Sequence, residues 1–141
     1  MRIVIDSNRV LAAMVKDSTT REILFDEFFE FLAPEHIIAE TTKHKERIIN
    51  ASGLAEEEFE ILASLIFERI TIIPEAEYRE IFSELKNEIR DQNDLPYFAS
   101  AIMVNADGIW THDEDFLEQK RVKIFTNIDM LRISGKDKGS L

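Results

Sequence analysis

Cysteine is absent from this sequence of 141 residues. A disulfide framework and a zinc site built on thiolates are therefore both excluded, and the composition fits a reducing cytosol. No apolar run reaches the roughly 18 residues that a membrane-spanning helix requires. The N-terminal segment carries Arg2, Asp6 and Arg9, so it also lacks the unbroken apolar core of a signal peptide. We predict a soluble, cytoplasmic protein that does not associate with membranes.

Basic residues are scarce, because 17 Lys and Arg stand against 28 Asp and Glu and leave a formal net charge of −11. A protein that holds nucleic acid through phosphates alone normally presents a basic face. One interpretation is an acidic domain whose Glu-rich helices simply face water. The other is that several acids converge and bind divalent cations, which then supply the positive charge. Composition alone favours the first interpretation, so the positions of the acids have to decide.

Short β-type runs alternate with longer helical patterns along the chain. Strands are predicted at residues 2–5, 31–33, 70–73, 108–111 and 122–126. Helices are predicted at residues 7–15, 20–31, 34–51, 55–68, 75–89, 94–105, 113–119 and 127–133. This alternation predicts one α/β domain over residues 1–134, with a mainly parallel sheet and helices on both faces. Residues 135–141, rich in Gly, Lys and Ser, are predicted to form a flexible tail.

Acidic residues directly follow two of the predicted strands. Asp6 comes after the first strand, and Asp113 and Asp115 come after the strand at residues 108–111. In open α/β sheets, binding sites lie beyond the carboxyl ends of the strands, where the strand order reverses. The sequence therefore predicts that these carboxylates meet at one edge of the sheet.

Two further acids, Asp94 and Glu40, have ordinary interpretations when each is taken alone. Asp94 stands where it can cap a helix, and Glu40 borders the apolar face of another. A gathering of four carboxylates, however, suits Mg²⁺ or Mn²⁺, which prefer oxygen ligands. Two such ions roughly 4 Å apart can contact both the attacking and the leaving oxygen of a phosphodiester. Without a cation the acids repel one another, which raises some of their pKa values.

Four short segments occur in a fixed order along the chain. They read IVIDSNRVL at residues 3–11, PEHIIAE at 34–40, DLPYFASA at 94–101 and WTHDEDF at 110–116. Together they resemble the four motifs of PIN domains, the family of the PilT N-terminus and of VapC-like ribonucleases. The resemblance covers residues 1–133, and the agreement of all four segments in order makes it fairly specific.

The resemblance implies a three-layer α/β/α sandwich with a parallel sheet of four to five strands. It also implies Mg²⁺- or Mn²⁺-dependent hydrolysis of single-stranded RNA, with a 5′-phosphate and a 3′-hydroxyl as products. The residues that would bind metal and act in catalysis are Asp6, Glu40, Asp94 and Asp113. Ser7, Asn8 and Thr111 would orient carboxylates or waters, and Asp115 would bind metal through water or cap a helix. Arg9 follows the first acid closely and is the predicted contact to the substrate phosphate.

Such a ribonuclease would serve as the toxin of a toxin–antitoxin pair or as an RNA-processing factor. A toxin would bind a small, partly basic antitoxin, and a homodimer is compatible with the family and with the phenylalanine content. The alternative is a PIN-fold binding module that cuts nothing, although the complete set of acids argues against it. A haloacid-dehalogenase-type phosphatase would need an Asp in place of Asn8. A receiver domain would need a Lys where Thr126 and Asn127 stand, so both rank lower.

Overall fold

The computed structural model of the protein describes residues 1–136, in which five strands form one parallel sheet in the order β3-β2-β1-β4-β5. The strands are β1 (Arg2–Ile5), β2 (Glu30–Pro34), β3 (Ile70–Ile73), β4 (Gly108–Trp110) and β5 (Ile124–Phe125). Every pairing between neighbouring strands is parallel. The predicted α/β fold with a parallel sheet is therefore confirmed.

Helices cover both faces of this sheet and complete an α/β/α sandwich. They are α1 (Ser7–Val15), α2 (Ser18–Leu24), α3 (His36–Lys43), α4 (Lys45–Ser52), α5 (Glu56–Glu68), α6 (Glu75–Tyr78), α7 (Phe82–Leu85), α8 (Leu95–Met103) and α9 (Asn127–Ile133). Two short 3₁₀ helices lie at Arg79–Ile81 and Glu114–Glu118. Because both faces are covered, β1 and β2 are apolar after their first residues, Arg2 and Glu30. In β1, for example, Ile3, Val4 and Ile5 are all fully buried.

The strand order reverses at β1, which places a crevice at one edge of the sheet. The chain runs outward from β1 through β2 and β3, and then returns to place β4 on the other side of β1. Ile5 at the end of β1 pairs with Trp110 at the end of β4, and the Asp6 amide donates a hydrogen bond to the Trp110 carbonyl at 3.1 Å. The residues that follow these two strands therefore emerge side by side.

The helix predicted to reach Phe31 is wrong, because α2 ends at Leu24 and β2 begins at Glu30. Asp26 breaks the helix with a local turn in which its side chain accepts a hydrogen bond from the Phe28 amide. Arg69 then donates hydrogen bonds to three carbonyl groups of this connection. Phe28 and Phe31 therefore do not share a buried helix face: Phe28 is exposed, and Phe31 is buried in β2.

Two other predicted helices are interrupted. The segment at residues 34–51 forms two helices that meet at His44, and Pro34 closes β2 instead of opening a helix. The segment at 75–89 forms only short turns of α and 3₁₀ helix, because burial of Tyr78, Leu85 and Ile89 against the core outweighs helix propensity. The end of the first segment agrees with the prediction, since Gly53 adopts a left-handed conformation after α4.

Within residues 1–136, no helix has the length and apolar character needed to cross a membrane. The predicted tail at residues 135–141 lies outside the described residues except for its first two positions. Of these, the Lys136 ammonium lies 3.2 Å from a carboxylate oxygen of Asp26.

Candidate metal centre

Asp6 lies immediately after β1 and is only 4% exposed. Its backbone is extended, and Oδ2 accepts a hydrogen bond of 2.6 Å from the Thr111 hydroxyl. Burial raises the pKa of Asp6 to about 6, and the nearby charges of Glu40 and Asp113 act in the same direction. The Thr111 hydrogen bond opposes this rise because it stabilises the carboxylate. Asp6 is thus a buried acid held in one orientation.

Thr111 connects the ends of β1 and β4 through a single hydroxyl group. Its Oγ1 donates to Asp6, and it accepts hydrogen bonds from Asn8 Nδ2 at 3.2 Å and from the Asp113 amide at 3.0 Å. One donor and two acceptor positions are all that a hydroxyl offers, so the group is fully used. The relative placement of Asp6 and Asp113 therefore depends on Thr111.

Asp94 precedes α8 and is 6% exposed. Although it occupies the N-cap position, its side chain makes no capping hydrogen bond. Its Oδ2 is buried and has no hydrogen-bond partner. Burial, followed by the charges of Asp113 and Asp6, raises the pKa of Asp94 to about 8. The capping interpretation therefore does not account for this residue, whose carboxylate needs a proton or a cation.

Glu40 reaches the same cluster from α3. The buried Tyr97 hydroxyl donates a hydrogen bond to its Oε1, and His36 Nε2 lies 3.4 Å from that oxygen. The charge of Glu40 contributes to the raised pKa of Asp6, which places the two carboxylates near each other. Tyr97 is missing from the residues predicted from the sequence. Its position three residues after Asp94 on one helix is the signal that predicts a shared face.

Asp113 and Asp115 begin the 3₁₀ helix after β4. Asp113 is partly exposed and caps this helix, since its Oδ1 accepts a hydrogen bond of 2.9 Å from the Asp115 amide. Carboxylate oxygens of Asp91, Asp94 and Asp115 lie within 4.8 Å of one another. Asp91 is not among the residues predicted from the sequence. Asp94 belongs both to this tight trio and to the predicted set of four acids.

The four predicted acids influence one another through their charges. The charges of Glu40 and Asp113 help to raise the pKa of Asp6, and those of Asp113 and Asp6 help to raise the pKa of Asp94. Within residues 1–136, however, the trio at Asp91, Asp94 and Asp115 is the only group of three carboxylates as close as 4.8 Å. The cluster is therefore tight around Asp94 and more open towards Glu40.

Arg9 is only 8% exposed, and its guanidinium is hydrogen-bonded within the protein. Its Nε donates to Asn8 Oδ1 at 3.0 Å, and a terminal nitrogen lies 3.4 Å from both Thr20 Oγ1 and Asn127 Oδ1. The predicted contact between Arg9 and a substrate phosphate stays a prediction, and in this structure the guanidinium is already hydrogen-bonded within the protein. Arg9 instead supports Asn8, which in turn donates to Thr111.

The donor set fits a hard divalent cation. Its members are carboxylate oxygens, the ligands that Mg²⁺ and Mn²⁺ prefer, and two of them are buried with raised pKa values. Among residues 1–136, no group donates a hydrogen bond to the Oδ2 of Asp94, which leaves this oxygen as a ligand atom for a cation. A cation would offset both the burial and the mutual repulsion that raise the pKa values of Asp6 and Asp94.

Comparisons with known proteins bear on the family and the fold of this chain. A family model described as PIN domain matches residues 4–127. The structure is similar to the crystal structure of VapBC2 from Rickettsia felis bound to a DNA fragment from their promoter. The TM-score is 0.64 with 19% sequence identity, over 89% of this chain and 98% of that chain. No curated protein matches the sequence significantly.

Proposed function

Because this chain belongs to the PIN domain family, we propose that it is a Mg²⁺- or Mn²⁺-dependent endoribonuclease that hydrolyses single-stranded RNA. The observation that carries the proposal is the buried, unpartnered Oδ2 of Asp94 beside the other acids of the cluster. A carboxylate buried in this way is costly unless a cation or a proton compensates it. A binding module has no need for such a group.

Each acid has a proposed role in this ribonuclease. Asp6, Glu40, Asp94 and Asp113 hold the cation, and Asp115 extends the cluster next to Asp94. Thr111 and Asn8 fix the orientation of Asp6. When bound, the cation lowers the pKa of water and stabilises the negative charge that develops on the phosphate.

The negative charge of the protein has a direct consequence for substrate binding. With a net charge of −11, the crevice repels phosphates unless cations occupy it. Arg9, the basic residue nearest to Asp6 in sequence, is buried and already hydrogen-bonded. RNA binding is therefore expected to depend on the divalent cation as strongly as cleavage does.

The ribonuclease activity suits either a VapC-like toxin or an RNA-processing factor in the cytoplasm. A toxin would form a tight complex with a small antitoxin, and an acidic protein favours a partner with a basic segment. Co-purification of such a protein, encoded beside this one, would identify the toxin role. A homodimer remains a prediction, for which Phe25 and Phe28 offer side chains that are 41% and 50% exposed.

The test is cleavage of a 5′-labelled single-stranded RNA with Mg²⁺ or Mn²⁺, compared between the native chain, Asp6→Asn and Asp94→Asn. We expect both variants to lose at least about 100-fold in rate, because each removes a charged ligand with little change in shape. Glu57→Gln is the matched control, since it removes an exposed carboxylate from α5. It should cut like the native chain.

Two results would reject the assignment. Equal cleavage by the native chain and both Asn variants would show that the acids are not catalytic. RNA binding with neither cleavage nor Mn²⁺ binding in calorimetry would instead favour the alternative, a PIN-fold binding module.

A further inference from the structure

The Tyr97 hydroxyl links two of the elements that position the acids. Tyr97 is 1% exposed and lies on α8, one turn after Asp94. Its hydroxyl donates a hydrogen bond to Glu40 Oε1 on α3. One hydroxyl therefore joins the helix that follows Asp94 to Glu40.

Glu40 has few other constraints on its orientation. Its side chain is 25% exposed, so part of it is open to solvent. Besides Tyr97, His36 Nε2 lies 3.4 Å from Oε1, one turn earlier on α3. With Oε1 held by Tyr97, Oε2 is left as the oxygen that can face a cation. Without this donor, the Glu40 side chain would populate several rotamers. Cation binding would then have to order it, and the entropy cost would weaken the binding.

We propose that Tyr97 is a positioning residue that fixes Glu40 relative to Asp94 and thereby sets the affinity of the centre for its divalent cation. This inference rests on the proposed function, because it assumes that the acids bind a cation. Groups that orient metal ligands typically contribute 10–100-fold to metal affinity. The buried ring of Tyr97 also packs in the core, at 6.1 Å from the His36 ring, so packing has to be separated from hydrogen bonding.

The variant Tyr97→Phe makes this separation, because it keeps the ring and removes the hydroxyl. We expect its Mn²⁺ dissociation constant in calorimetry to rise about tenfold or more. The Mn²⁺ concentration for half-maximal RNA cleavage should rise by the same factor. The rate of cleavage at saturating Mn²⁺ should stay within about twofold of the native rate, since all four acids are still present.

Tyr78→Phe is the matched control. Tyr78 is equally buried, at 1% exposed, but the hydrogen-bonding group that lowers its pKa is the His36 backbone and not a carboxylate, while burial is the larger effect and raises that pKa. Removal of the Tyr78 hydroxyl should leave the Mn²⁺ dissociation constant within about twofold of the native value. A similar loss of affinity in both Phe variants would show a general packing effect and would overturn the inference.

A double variant tests whether Tyr97 acts through Glu40. If it does, Tyr97→Phe combined with Glu40→Gln should bind Mn²⁺ no more weakly than Glu40→Gln alone. Additive losses would overturn the inference, as would unchanged Mn²⁺ affinity in Tyr97→Phe. These failures differ from failure of the proposed function, in which the native chain itself would not bind Mn²⁺.

Discussion

At the scale of single residues, hydrogen bonding and neighbouring negative charge distinguish the two buried acids of the centre. Asp6 and Asp94 are 4% and 6% exposed, so burial disfavours the charged form of each. Asp6 accepts a hydrogen bond from Thr111, and its pKa is about 6. Asp94 Oδ2 has no donor, and the pKa of Asp94 is about 8. Near neutral pH, the protein without a cation therefore retains a proton on Asp94.

This retained proton predicts the pH dependence of stability in the presence of a chelator. Between the ordinary Asp pKa near 4 and the folded pKa of about 8, the folded state binds a proton on Asp94 that the unfolded chain has released. The free energy of unfolding therefore falls as pH rises through this window. Asp94→Asn removes this penalty. We expect it to be the more stable protein at pH 8 by at least about 1 kcal/mol, since one pKa unit corresponds to about 1.4 kcal/mol.

Urea unfolding of both proteins at pH 4.5 and pH 8, with EDTA, measures the difference. Asp17 and Asp26 have lowered pKa values and stabilise the fold as pH rises, but they are the same in both proteins and cancel. The advantage of Asp94→Asn should be small at the lower pH and grow towards the higher one. An advantage that does not change with pH would contradict the raised pKa.

At the scale of elements, the strands could be predicted from the sequence because their residues are apolar or β-branched and buried on both sides. The end of α2 could not, because it depends on a group distant in the chain. Arg69 binds the carbonyl groups that follow α2 from a position more than 40 residues away. The helical spacing of Phe28 and Phe31 gave no sign of the turn at Asp26 between α2 and β2.

The same limit applies to the candidate site. Each of Asp6 and Asp113 comes after a strand and before a helix, so the sequence alone predicts that they lie at one edge of the sheet. Three other features follow from tertiary packing. They are the burial of Arg9, the hydrogen bond from Tyr97 to Glu40, and the short distance between the carboxylates of Asp91 and Asp115. Periodicity alone does not contain that information. The catalytic assignment of the four acids stays a prediction.

Gly108 controls how closely β4 and β5 approach each other. A Cβ atom there would lie 2.3 Å from Cε2 of Phe125 and 2.9 Å from the Lys123 carbonyl oxygen. Gly108→Ala should therefore lower the free energy of unfolding by about 1–3 kcal/mol, the usual effect of overpacking. Urea unfolding measures it. Cleavage should fall as well, because β4 leads directly to Thr111 and Asp113.

The origin of this effect can be checked with Phe125→Ala, which removes the ring that a new Cβ would strike. In the double variant Gly108→Ala and Phe125→Ala, the total loss should be smaller than the sum of the single losses by at least about 0.5 kcal/mol. Full rescue is not expected, because the Lys123 carbonyl belongs to the backbone. Simple additivity would mean that the two side chains do not clash.

At the scale of the whole molecule, two effects of a divalent cation have to be distinguished. A net charge of −11 destabilises the compact state by self-repulsion, which any salt reduces. A cation bound at the acidic cluster stabilises the folded state by mass action as well. Only the second effect depends on particular carboxylates.

Thermal unfolding with Mn²⁺ separates these effects. At a Mn²⁺ concentration 100 times the dissociation constant, one bound ion should stabilise the folded state by about 2.7 kcal/mol. NaCl at equal ionic strength should raise Tm much less, because screening acts weakly on buried groups. Glu57→Gln should respond like the native chain, whereas Asp94→Asn should show only the small rise seen with NaCl. If Asp94→Asn gains as much from Mn²⁺ as the native chain does, the cation binds elsewhere on the acidic surface, and the buried carboxylate of Asp94 is no ligand.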